Sequence, residues 1–253
     1  MYYCCGISDV GSLRDHNEDA FLINNIVMSH AQLESTISHP FITGVADGVA
    51  SEKSGEIASK LCLELLANIK FSKATDLKKK LLGIHENLRS YGINHDNALN
   101  MQTTLCALAV DEDNVAYSIN IGDSRMYRLH EGKLKQITKD QSLVQLMYEA
   151  GEITKEEKDS HSKKHIIFPV VGNLATVPCP DIKKIGEIPS GDMIFICTDG
   201  LSDYVKKERI QEILLTPELS LNKKLSFLVH LANENGGNDN ITAVAVFAET
   251  VNE

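Results

Sequence analysis

The chain has 253 residues, 43% of them hydrophobic, enough to bury a substantial core as one large domain or two small ones. Its formal net charge of −10, with no basic face visible in the sequence, argues against a nucleic-acid partner, which demands clustered Lys and Arg. No apolar stretch approaches the roughly 18–20 residues of a spanning helix, and Met1–Gly6 lacks the basic and apolar regions of a secretion signal, so the expected setting is the cytoplasm, away from membranes.

In chain order, strands are expected at 2–8, 19–26 and 41–46, where β-branched and apolar residues run between Gly, Asp or Asn. A helix follows at Ser54–Ile69, with Ile57, Leu61, Leu65 and Ile69 on one face and Ser54 as its N-cap. Thr75–Tyr91 repeats that pattern through Leu77, Leu81, Leu82, Ile84 and Leu88. Four strands come next, at 103–110, 115–121, 125–130 and 134–137, the last two forming a hairpin around Glu131-Gly132. Ser142–Ala150 reads as a short helix leading into the charged stretch Lys155–Lys164. That stretch has little apolar face to bury, so residues 140–165 are expected outside the core, as a plain surface loop or as a lid. A strand at 193–198, helices at Lys206–Leu215 and Leu221–Asn235, and a strand at 241–248 complete the chain, the second helix stopping at Gly236-Gly237.

Strands arrive in groups and helices in pairs without strict alternation, which predicts an α+β domain with mainly antiparallel pairing. Two layers of sheet covered by helix pairs, a four-layer α-β-β-α sandwich, would satisfy both periodicities. No repeat or linker interrupts residues 1–253, which read as one domain. The six cysteines show no Cys-x-x-Cys spacing and sit mostly in apolar runs, as buried free thiols do.

Acidic residues recur where strands stop. Asp47, Asp123 and Asp199 follow apolar runs, Asp239 precedes one, and Glu18-Asp19 opens another. A lone Asp-Gly at a strand end is ordinarily a turn. Several uncompensated carboxylates at the rims of buried strands are costly, and make sense if they converge on cations; oxygen ligands suit Mg²⁺ or Mn²⁺. Arg14, four residues before Glu18, is read either as an ion-pair partner of Glu18 or Asp19 or as a bidentate holder of phosphate. His16 is read as a surface residue, with an acid–base role as the alternative, and the nine histidines as offering no zinc constellation. Phosphate-binding Gly-rich loops, dinucleotide fingerprints and Gly-x-Ser-x-Gly are absent from the sequence.

The order of these segments resembles the metal-dependent serine/threonine protein phosphatases of type 2C. The likeness is carried by Ser8–Asp19, Ala46–Ser59, Thr103-Thr104-Leu105, Asn120–Arg125, Ile137–Ser142, Cys197–Asp203 and Gly236–Thr242. It implies a central β-sandwich flanked by helices, two core Mg²⁺ or Mn²⁺ ions, and hydrolysis of phosphoserine or phosphothreonine by a hydroxide that bridges them. By the same resemblance Asp47 bridges the two ions, Gly48 (through its carbonyl) and Glu18 serve one, and Asp199 and Asp239 the other. Asp19 orients water, Arg14 holds the substrate phosphate, and Asp123 binds a third ion together with Asp199. Residues 140–165 fall at the family's flap. Phosphorylated proteins are the implied substrates, and a bacterial Ser/Thr kinase the implied opponent.

Three positions depart from the pattern. Val49 stands where some relatives carry a His proposed as general acid, Ala50 replaces a Gly, and His165–Gly172 lacks a Thr-Arg pair that anchors the flap. The competing readings are a phosphatase of small phosphoesters and a non-catalytic phosphoprotein-binding protein.

Overall fold

The computed structural model describes residues 1–49 and 53–249. Ala50, one of the three departures, lies outside the described residues. Twelve strands and seven α-helices follow in order: β1 (Tyr2–Asp9), β2 (Asp19–Ile23), β3 (Ile26–Met28), β4 (Gln32–Ile37), β5 (Phe41–Asp47), α1 (Lys53–Ala67), α2 (Leu77–Asn94), β6 (Leu105–Val110), β7 (Ala116–Ile121), β8 (Arg125–His130) and β9 (Lys133–Gln136). Then come α3 (Leu143–Glu149), α4 (Lys155–Ser160), β10 (Asp181–Gly186), β11 (Met193–Cys197), α5 (Asp199–Ser202), α6 (Lys207–Leu215), α7 (Leu221–Glu234) and β12 (Ile241–Ala248).

The strands form two antiparallel six-stranded sheets, ordered β4-β1-β12-β11-β8-β9 and β10-β7-β6-β5-β2-β3. Alternation along each strand divides the core into three layers. In β12, Val244 and Val246 enter the space between the sheets, where they meet Phe21, Val45 and Leu108 of the opposite sheet. Ala243 and Ala245 face the other way, under Leu225 and Leu228 of α7 and Ile210 and Leu214 of α6. The second sheet is covered by Leu63 and Leu66 of α1 and Leu81 and Leu88 of α2, packed on Leu22, Ala107 and Ile119. The expected four-layer α+β sandwich is the observed one.

The differences from the sequence reading lie at the sheet margins and among the helices, where Ser54, the expected N-cap, falls inside α1 and α5 was not expected. The strand expected at 19–26 is two strands, because Asn24 and Asn25 take left-handed φ of 50° and 63° and turn the chain back on itself. β4 and β10 were not expected. Both are edge strands whose residues stay largely exposed or half-buried, so neither carries an apolar run. α4 forms inside the charged stretch on a capping box, Thr154 with Glu157. The hairpin at Glu131-Gly132 stands as expected, both residues having positive φ. No helix among the described residues is long and apolar enough to cross a membrane.

Candidate active site

Both sheets deliver acids to the same end of the sandwich. In one, Asp19 at the start of β2 and Asp47 at the end of β5 are paired directly across the ladder. The Gly48 N–H donates to the Glu18 carbonyl (3.1 Å), continuing that pairing past the strand ends. In the other, Asp199 opens α5 just after β11, and Asp239 lies in the turn before β12. Asp123 sits on the β7–β8 connection, which passes from one sheet to the other.

Neutral side chains fix these positions. Asn240 accepts from the Glu18 N–H (2.8 Å) and donates to the carbonyls of Val10 and His16 (2.8 Å each), tying the Arg14–Glu18 loop to the start of β12. Thr198 donates to Asp19 (2.8 Å) across the two sheets. The Thr104 hydroxyl accepts from the Asp47 N–H (3.0 Å), and Thr103 donates to the Asp47 carbonyl (2.9 Å). The Gly55 backbone of α1 lies against the Glu18 carboxylate and favours its charged form. A Cβ at Gly55 would lie 2.5 Å from Glu18 Oε1, and one at Gly48 would lie 2.4 Å from the Gly55 carbonyl, so this approach requires glycine at both positions.

A cleft of about 410 Å³ opens above the acids, lined by Arg14, Glu18, Asp47, Gly48, Asp123, Asp199 and Asp239 among others. Asp19 is buried beneath it. Glu18 Oε1, Asp123 Oδ1 and Asp199 Oδ1 are buried without a hydrogen-bond partner. Leaving a buried polar atom unsatisfied costs roughly 1–3 kcal/mol, more if charged. Burial raises the Glu18 carboxyl to about 7, with Arg14 opposing and Asp239 adding to the rise. Burial likewise pushes Asp19 up to about 8 and Asp199 to about 7, neighbouring carboxylates contributing after it. Asp47 and Asp123 are raised well above the ordinary carboxylate range for the same reasons. Five acids that destabilise one another's charged forms, three with an unsatisfied oxygen, fit hard divalent cations by chemistry and by need.

Every residue singled out by the acidic motifs therefore reaches one place. Arg14 is the exception to its own reading. Its ion pair is with neither Glu18 nor Asp19 but with Asp239 (3.0 Å), and its Nε donates to the Asn238 carbonyl (3.0 Å), because the loop is folded against the β12 turn. His16 does not line the cleft. The histidine reading also needs correction, since His161 and His165 are spaced four apart. α4 ends at Ser160, so helical geometry does not pair them; instead ligand atoms of His165, Asp199 and Asp203 lie within 4.8 Å of one another. His165, Ile167 and Tyr204 also line the cleft; none was expected as a site residue, although Tyr204 directly follows Cys197–Asp203 and the other two lie in the departing segment His165–Gly172.

A family model described as protein phosphatase 2C matches residues 16–243. The chain belongs to the protein phosphatase 2C family. It is 30% identical over 248 residues to the serine/threonine phosphatase stp of Listeria welshimeri, covering 94% of this chain and 93% of that one. It is 33% identical over 242 residues to PstP of Mycobacterium tuberculosis, covering 94% of this chain and 43% of that protein. The crystal structure of the Mycobacterium tuberculosis phosphatase PstP/Ppp superposes with a TM-score of 0.82 at 30% identity, covering 99% of this chain and all of that one. A PstP catalytic domain in complex with two manganese ions gives 0.78 at 29% identity, over 99% and 100% of the two chains.

Within the 2C family pattern, the departures have visible consequences. Val49 lines the cleft and offers no titratable proton there. The segment lacking the Thr-Arg pair is anchored by backbone instead: Leu143 N–H to Ile166 O (2.8 Å), Phe168 N–H to Gln141 O (3.1 Å), and a reciprocal pair between Thr103 and Val171. Gly172 N–H donates to the buried His85 Nδ1 (3.0 Å).

Proposed function

We propose that this chain removes phosphate from phosphoserine and phosphothreonine in proteins, using divalent cations held by the clustered acids, in opposition to a Ser/Thr kinase. The observation that carries this reading is the convergence of six carboxyls from two sheets, three with a buried unsatisfied oxygen, at a cleft rimmed by Arg14. Glu18, Asp47, the Gly48 carbonyl, Asp199 and Asp239 would hold two Mg²⁺ or Mn²⁺ ions, and Asp123 with Asp199 a third. Such ions would supply a field that admits a phosphate dianion and lowers the pKa of water to make a nucleophile.

The remaining work falls to the chain. Asp19 is fixed by Thr198, and it places a proton-accepting carboxylate under the reacting end of the cleft. Arg14 is half-exposed and can leave Asp239 once a cation takes that carboxylate. Its planar fork then faces the cleft with donors for two phosphate oxygens. Residues 140–165, which lie between β9 and β10 in the chain, act as the flap that shapes the approach for a peptide, within a single phosphatase domain.

The test is turnover of phosphothreonine and phosphoserine peptides against a panel of small phosphoesters, with Mn²⁺ present and after chelation. Phosphopeptides should be preferred and EDTA should abolish the activity. Preference for small esters would favour the metabolite phosphatase, and absence of any Mn²⁺-dependent hydrolysis the binding protein.

A further inference from the structure

A second groove, of about 470 Å³, meets the acidic cleft at Asp123 and Asp199, which line both. Its far walls come from α4 on one side and the start of α6 on the other, and they are built of lysines: Lys155, Lys158, Lys164, Lys206 and Lys207. Of the acids that line it, Asp123 and Asp199 belong to the cluster already described, Glu208 lies 3.9 Å from Lys207, and the other two are paired. Asp140 is held by Arg125, whose Nε and Nη2 both donate to it (3.1 and 2.7 Å), and Asp203 by Lys164 (2.8 Å). Lys155, Lys158 and Lys206 form no ion pair with a described residue; Lys158 donates to the neutral Gln145 (2.8 Å).

Fold stability does not explain Lys206 and Lys207. Lys206 is the N-cap residue of α6 and Lys207 its first residue, at the positive end of the helix dipole, where acidic residues are the stabilising choice. α6 also has no side-chain N-cap hydrogen bond. Local basicity in a chain of net charge −10 is a concentrated feature, and low-dielectric groove walls focus its field.

Building on the phosphatase reading, we propose that this groove selects substrates whose phosphoresidue is flanked by Asp or Glu, the lysines pairing with those carboxylates while the phosphate occupies the neighbouring cleft. Carboxylates suit it better than a second phosphate. The one guanidinium in the groove is occupied by Asp140, and separated ammonium groups lack the planar fork that grips a phosphate dianion. Spread point charges instead match carboxylates carried at several positions of an extended segment. Because the rest of the surface repels an acidic partner, the selection is local and is screened by salt.

The experiment compares two phosphothreonine peptides of one sequence, flanked by Glu in one and by Gln in the other, on the Mn²⁺-loaded protein. The Glu peptide should show kcat/KM higher by about tenfold, mostly through KM, the size that a few exposed ion pairs can jointly supply. The advantage should shrink between low salt and 0.5 M NaCl. The triple variant Lys155→Gln, Lys158→Gln, Lys206→Gln should hydrolyse an aryl phosphate, which makes no use of the peptide approach, as the parent does, and lose the preference for the Glu peptide over the Gln peptide. Equal kcat/KM for the two peptides, or a preference that survives the triple variant, overturns the groove assignment alone. Hydrolysis of neither peptide, with a small phosphoester turned over, overturns the protein-phosphatase reading and the groove with it. Replacing the flanking Glu by phosphoserine distinguishes the two anions: a larger gain than Glu gives would overturn the choice of carboxylate.

Discussion

At the scale of single residues, the site is a set of acids whose charge the fold does not neutralise. Removing one negative ligand should therefore cost more than removing a supporting hydrogen bond. Asp47→Asn and Asp239→Asn are each expected to lower kcat by more than the roughly 10–100-fold that loss of a positioning partner costs, with the fold intact by circular dichroism; near-normal turnover at saturating Mn²⁺ would contradict their assignment. Arg14→Ala should raise KM for a phosphopeptide more than it lowers kcat, and Arg14→Lys should recover only part, because a point charge lacks the bidentate fork. A variant that unfolds with unchanged kinetics would mean that the Asp239 pair is the whole role of Arg14. The acids themselves were legible from sequence because each interrupts an apolar strand pattern. Their supports were not. Asn240 and Thr198 act through partners that are 222 and 179 residues away in the chain, and nothing local marks an Asn or Thr for such a task. The ion pair of Arg14 was misassigned for the same reason, since Asp239 reaches it only through the turn before β12.

At the scale of elements, α1 does more than cover a sheet. Its Gly55 brings backbone against both Gly48 and the Glu18 carboxylate, so the helix start doubles as part of the acid cluster. Gly55→Ala should be tolerated by the fold, since Ala gains about 1 kcal/mol of helix propensity over Gly and the nearest atom is the end of a side chain. It should displace the Glu18 carboxylate and weaken Mn²⁺ binding by about tenfold or more in calorimetry; unchanged affinity would remove Glu18 from the set of ligands. Sequence periodicity found the long helices and inner strands because each buries one regular face. It missed β4 and β10, which as edge strands keep much of their surface exposed, and it ran β2 into β3 because Asn24-Asn25 interrupts the sheet without interrupting its composition. The capping box at Thr154 was readable but outweighed by the lack of an apolar face on α4.

At the scale of the whole molecule, the raised acids link cation binding, protonation and stability. Glu18 and Asp199 are raised to about 7 and Asp19 to about 8, from ordinary values of 4.5 and 3.8. Between about pH 4 and 8 the cation-free folded chain thus binds more protons than the unfolded chain, and its stability falls as pH rises. In chelator, Tm should drop by at least about 5 °C from pH 5.5 to 8, and the gain in Tm on adding Mn²⁺ should grow over the same range; a chelated Tm that rises with pH would contradict the burial of these charges. The net charge of −10 was read as a poor match for nucleic acid, and the basic groove beside the site was invisible in it. Lys155 and Lys158 sit in one charged stretch, Lys206 far from it in sequence, and they line one groove only in the folded chain.

The most direct test of the central claim is phosphate release from a phosphothreonine peptide by chelator-stripped protein titrated with Mn²⁺, followed in parallel by calorimetry. The account predicts no release without the cation, activity that rises with occupancy of at least two ions, and loss of both binding and release in Asp47→Asn. Release that is independent of Mn²⁺, or full Mn²⁺ binding by Asp47→Asn, would contradict it.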